Sequence, residues 1–128
     1  MPSPLAKIRS LGSARNGTKV FIAQRLTGIA LVPLLIWLIF SITSLLYYTD
    51  FGYVSVSNWV RTPYVTVFLI LTMSLLFYHS FIGLREILED YVPNHTIKII
   101  SIILVEFFII TVTVASILAI LRVALGDQ

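Results

Sequence analysis

The segment His79-Ser80-Phe81-Ile82-Gly83-Leu84-Arg85-Glu86-Ile87-Leu88-Glu89-Asp90-Tyr91 sets an imidazole deep in an apolar run and an Asp-Tyr pair at its mouth. Burying an imidazole in hydrocarbon costs free energy unless it is hydrogen-bonded or ligated, so His79 is a candidate for function. Three readings compete for it: axial ligand of a haem, proton relay, and interhelical hydrogen-bond donor. Zinc and copper sites need several protein ligands, whereas one neutral imidazole serves one face of a haem iron. The chain has no cysteine, so any thiolate-held iron–sulfur or zinc centre must belong to a partner.

Helical spacing gives His79 its neighbours. At ~100° per residue, Thr72 lies about 20° and Gly83 about 40° from His79 around the axis, a strip of small side chains on which a flat macrocycle could lie. Ordinary close helix packing explains Gly83 equally well. Asp90 stands ~16 Å along the axis from His79 and about 20° around it, at the rim of the same face. Tyr91 follows. A phenol can donate a hydrogen bond to a quinone carbonyl, and a carboxylate beside it could orient a basic group or deliver protons. The same Asp-Tyr before Val92-Pro93 could simply close a helix at an interface. Arg25 could pair with an anionic group or snorkel to lipid phosphate. Glu106 lies about 12 Å past Lys98, inside the hydrocarbon, and calls for protonation, a partner or a polar cavity. Arg85, Glu86 and Glu89 read as a solvated or subunit-facing turn, and His95 as an interfacial loop histidine.

The elements that hold these residues follow from hydropathy. The chain has 128 residues, of which 58% are hydrophobic, and a mean hydropathy of +0.96. That is too apolar for a small soluble domain and suits a helical membrane protein. Between Arg25 and Asp50, Arg61 and Arg85, and Lys98 and Arg122, only Glu106 is charged near neutrality. Each run is about 23 residues, or roughly 35 Å as helix, enough to cross a hydrocarbon core of ~30 Å with some tilt. Membrane strands are excluded, because they are shorter and alternate polar with apolar residues.

The expected architecture is an all-α membrane protein with three transmembrane helices, over residues 19–48, 63–88 and 96–122. Residues 1–18 form a tail that turns at Asn16-Gly17, with Thr18 as N-cap, and residues 19–128 form the anchor domain. The stretch from Thr49 to Thr62 is a short loop edged by Tyr47, Tyr48, Tyr53 and Trp59, whose amphipathic rings suit the headgroup region. Pro33 adds a tolerable kink, and Pro93 with Asn94 turns the chain into the last span. Lys7, Arg9, Arg15, Lys19, Arg25, Arg85 and Lys98 fall on one side and Arg61 and Arg122 on the other, which places the N-terminus in the cytoplasm, or the matrix, and the C-terminus outside. The net charge of +3 is then a topology signal rather than a nucleic-acid footprint. The basic, acid-free N-terminus superficially suits a signal or transit peptide. The next apolar run is too long for a signal core, and Tyr47-Tyr48-Thr49-Asp50 offers no small-residue cleavage site.

The run from His79 through Ile82-Gly83 to Asp90-Tyr91, with Arg15-Asn16-Gly17, Phe21-Ile22, Arg25 and Thr27, resembles the small hydrophobic membrane-anchor subunit of succinate dehydrogenase, respiratory complex II, in its b-type cytochrome form. The likeness covers essentially the whole chain. Its specific part is the His, the Gly four residues on, and the Asp-Tyr at eleven and twelve. The resemblance implies that His79 is one axial ligand of haem b, with the second from a larger cytochrome b membrane subunit, that Gly83 borders the haem, and that Arg25 approaches a propionate. It implies that Tyr91 hydrogen-bonds ubiquinone and Asp90 orients a basic group there, at a site shared with the iron–sulfur subunit and the larger membrane subunit. Dicarboxylate chemistry would reside on a flavoprotein subunit, in a bacterial inner membrane rather than a mitochondrial one. Some relatives carry a histidine and an acid where this chain has Lys19-Val20, which leaves a propionate or proton role there in doubt. Two rivals stand beside this reading: an anchor of quinol:fumarate reductase, and a small non-redox membrane protein in which His79 and Glu106 relay protons.

Overall fold

A computed structural model describes residues 4–126, with side chains from residue 17 onward. The chain forms α1 (Pro4–Tyr48), α2 (Tyr53–Arg61), α3 (Pro63–Tyr91) and α4 (His95–Leu125). Three stretches, Gly17–Tyr48, Pro63–Tyr91 and His95–Leu125, are long and apolar enough to cross a membrane, and no strand occurs among the described residues. The all-α, three-span class expected from the uncharged runs is therefore the class observed.

The element boundaries depart from expectation in three places. The turn at Asn16-Gly17 does not form: α1 runs through it, and no glycine among the described residues has a positive φ. An Asn-Gly pair turns a chain that has a partner strand to return to; among the described residues there is no strand, and continuing the helical ladder costs only about 1 kcal/mol for the glycine. Thr18 accordingly sits inside α1 rather than capping it. The side chains of Lys7, Arg9, Arg15 and Asn16 lie outside the described residues. Secondly, the expected loop between Thr49 and Thr62 folds its second half into α2. Thirdly, α3 and α4 each continue to Tyr91 and Leu125, about one turn past the expected ends. The turn between them is as expected: Asn94 caps α4, its side-chain oxygen accepting from Ile97 N at 3.1 Å.

α3 is the middle element, packed against α1 and against α4, while direct packing of α1 on α4 is minimal. The buried set is small: Thr27 and Leu31 on α1, Ser57 on α2, and Val65, Leu69, Thr72 and Ile82 on α3. Phe40, Leu104, Phe107 and Phe108 all point outward, as side chains do when lipid or a neighbouring membrane subunit is their solvent.

At the end of the molecule away from Tyr91, α2 ties the three spans together. Its Trp59 stacks on Trp37 of α1 at 6.2 Å, and Trp37 meets Phe68 of α3 edge-on at 5.1 Å. Arg61 donates from Nε to the Val123 carbonyl at 3.1 Å, satisfying one of the orphan carbonyls at the end of α4.

Candidate functional site around His79

His79 lies in the seam between α3 and α1. Its Nδ1 is 2.9 Å from the hydroxyl of Thr27, which is itself only 8% exposed. The imidazole lies against the backbone of α1 at Gly28, where a Cβ would stand 3.4 Å from His79 Cε1 and 4.0 Å from Nδ1. A Cβ would thus meet the ring at the tight edge of ordinary contact, and any larger side chain at this position would press on it. The other ring nitrogen, Nε2, makes no hydrogen bond among the described residues.

The strip expected beside the imidazole is present on α3 but is completed by residues of α1. Thr72 is fully buried and donates to the Phe68 carbonyl at 2.6 Å. Gly83 faces Gln24 of α1: a Cβ there would stand 3.6 Å from the Gln24 amide nitrogen. The Gln24 side-chain oxygen is buried without a hydrogen-bond partner among the described residues. Thr27, Gly28 and Gln24 were not singled out from sequence as parts of a site. Their signal was present as a polar and small stripe on α1, since positions 24, 27 and 28 share a helix face.

The remaining candidates lie apart from this seam. The Arg25 guanidinium sits over the Phe21 ring, 4.7 Å from its centroid. Asp90 and Tyr91 end α3, both exposed, and Tyr91 is 79% accessible, with no side-chain hydrogen bond among the described residues. Arg85 Nε pairs with Glu89 at 3.1 Å, an exposed ion pair on one helical turn. Glu106 is exposed on α4 and makes neither an ion pair nor a hydrogen bond among the described residues, so no bonded path joins it to His79. A cavity of about 760 Å³ opens between α2 and α4, lined by Tyr53, Arg61 and Arg122 at the far end of the molecule from Tyr91.

The donor set can be tested against the groups that use histidine. Among the described residues no three His, Cys, Asp or Glu side chains gather as a multi-ligand ion site requires. A single imidazole held at Nδ1, with Nε2 unengaged and no Cβ pressed on its Cε1 edge, has the chemistry of one axial haem ligand. The residues present fit that group.

Fold and site together define an integral membrane protein with three helical spans and one imidazole held between two of them, its Nε2 without a hydrogen-bond partner among the described residues. Residues 1–113 match the family described as succinate dehydrogenase/fumarate reductase transmembrane subunit. The succinate dehydrogenase hydrophobic membrane anchor subunit of Rickettsia conorii is 32% identical over 116 residues, covering 90% of this chain and 90% of the relative. The subunit of the same name from Rickettsia typhi is 31% identical over 117 residues, covering 91% and 90%. No solved structure matches significantly. The chain belongs to the succinate dehydrogenase/fumarate reductase transmembrane subunit family, among the hydrophobic membrane anchors of succinate dehydrogenase.

Proposed function

We propose that this anchor supplies one axial ligand of haem b through His79 and part of a ubiquinone-reduction site through Tyr91 and Asp90, in a bacterial inner membrane. The observation that carries the reading is the imidazole whose Nδ1 is engaged by Thr27 while Nε2 has no hydrogen-bond partner among the described residues. His79, held at Nδ1 by Thr27, would bind the haem from this chain, with Gly28 and Gly83 leaving the approach clear and Arg25 turning from Phe21 toward a propionate. When bound, haem b would supply a one-electron centre. The larger cytochrome b subunit would provide a second histidine ligand.

Tyr91 and Asp90 do the work at the rim. The Tyr91 hydroxyl donates to a quinone carbonyl, fixing the ring within reach of the iron–sulfur subunit. Asp90 pairs with a basic group of a partner and keeps it oriented. Two electrons derived from succinate on the flavoprotein subunit, and two protons from the cytoplasm, convert quinone to quinol. The exposure of both side chains at the end of α3 supports a site completed by other subunits. The basic residues Lys19, Arg25, Arg85 and Lys98 support a cytoplasmic N-terminus and a cytoplasmic α3–α4 turn. The names of the relatives favour succinate oxidation over fumarate reduction as the working direction.

The test is a reduced-minus-oxidised spectrum of the co-expressed, purified complex, with succinate-driven quinone reduction followed in the same samples. Wild type shows a b-type band and His79→Ala loses it. A wild-type complex that is intact and lacks the band overturns the cytochrome assignment.

A further inference from the structure

The hydroxyl of Thr27 has one proton and three neighbours: the Ala23 carbonyl at 2.8 Å, the Gln24 carbonyl at 3.1 Å, and His79 Nδ1 at 2.9 Å. Carbonyl oxygens only accept. Were the proton directed at Nδ1, the hydroxyl oxygen would stand 2.8 Å from one carbonyl oxygen and 3.1 Å from another with no hydrogen between them, an unrelieved contact of like partial charges in a low-dielectric seam. Directed back at the carbonyls, as buried helical threonines direct it, the proton relieves both contacts. The hydroxyl lone pair then faces Nδ1 and can only receive.

We propose that Thr27 sets the tautomer of His79, holding the proton on Nδ1 so that the Nε2 lone pair is permanently presented to the haem iron. This rests on the ligand role proposed for His79. Thr27 is a positioning residue: it acts through the imidazole and touches neither iron nor quinone. Two features make it a fixed acceptor. Its hydroxyl is locked by its own helix, and Gly28, the next residue, leaves the ring room beside that helix, since a Cβ there would stand 3.4 Å from His79 Cε1. An Nδ1–H bonded to a fixed oxygen makes Nε2 a stronger donor, which favours the ferric over the ferrous state. The midpoint potential of the haem is thereby tuned from α1, although the ligand is on α3.

The experiment is a graded series in the purified complex: Thr27→Ser, which keeps the acceptor; Thr27→Cys, a weak acceptor of similar size; and Thr27→Val, which keeps the shape and has none. Redox titration of the b-type band and the low-spin ferric resonance spectrum are read for each. Thr27→Ser matches wild type. Thr27→Cys shifts the potential upward and Thr27→Val more so, each tenfold of lost ferric preference reading as about 59 mV. Haem is retained ~10- to 100-fold less tightly in Thr27→Val. Unchanged potential and resonance in Thr27→Val, or a shift in Thr27→Ser as large as that in Thr27→Val, overturns the proposal. If Thr27→Val does not assemble, Thr27→Cys decides: identity with Thr27→Ser in both readouts overturns it as well. Failure of the ligand reading is separate, since it shows as a b-type band that survives His79→Ala.

Discussion

At the scale of single residues, the closest constraint is the one between Gly28 and His79. A Cβ at 3.4 Å from the ring is at the tight limit of ordinary contact, so Gly28→Ala needs the seam to open by only a few tenths of an ångström. The larger Gly28→Leu cannot be accommodated without separating α1 from α3, and overpacking of this kind costs about 1–3 kcal/mol. The complex with Gly28→Ala is expected to keep its b-type band, and that with Gly28→Leu to lose most of it and melt at a lower temperature in a spectroscopically followed thermal scan. Tyr91→Phe tests the other end of α3. It removes only the hydroxyl from a side chain that this chain leaves exposed, so the haem spectrum should stay as in wild type. Quinone reduction should fall about tenfold, the value of one hydrogen bond of ~1.4 kcal/mol made in the reacting complex.

At the scale of elements, α2 carries the stability of the end away from Tyr91. It is short, and an isolated helix of nine residues is marginal in water, so its order comes from the surfaces it touches. Trp59 on Trp37 fastens it to α1, and Arg61 on the Val123 carbonyl fastens it to α4. Arg61→Met keeps much of the apolar stem and removes the guanidinium donor, leaving a terminal carbonyl unpaired. A loss of about 1–3 kcal/mol is expected, measured as a lowered midpoint of thermal unfolding of the complex, with the haem spectrum intact because His79 lies toward the other end of α3. An exposed ion pair such as Arg85–Glu89 is expected to contribute little, so Glu89→Gln should leave that midpoint unchanged within about 0.5 kcal/mol.

At the scale of the whole molecule, three spans stand in a row with α3 in the middle, and α4 has no buried residue at all. A subunit that buries so little against itself is completed by its neighbours. Expressed without them it is expected to insert but to show no b-type band, since on the proposed reading His79 supplies only one of the two histidine ligands; a band from the chain alone would overturn the need for a partner's ligand. The absence of cysteine makes topology directly measurable. A single cysteine at Asn94 should be labelled by an impermeant thiol reagent only from the cytoplasmic side, and one at Asp50 only from the outside. The reverse pattern would invert the orientation.

The number of spans, the helical class and the turn at Pro93-Asn94 were legible in the chain alone, because each rests on a local quantity: the length of an uncharged run, the reach of a helix, or a residue that caps and breaks one. His79 stood out as a candidate site for the same reason, being a polar group where polar groups are costly. α2 was not, since a nine-residue amphipathic stretch is helical only once Trp37, α3 and α4 give its apolar face something to cover. Nor was the unbroken run of α1 through Gly17, where the local turn signal had no partner to serve. What the tertiary structure alone decided is the company of the imidazole. Thr27 and Gly28 lie more than fifty residues from His79 in sequence, and only the packing of α1 on α3 brings a hydroxyl to one ring nitrogen and leaves the other open. Helical periodicity orders the residues on one helix face; which second helix lies against that face, and in what register, is set by packing between helices.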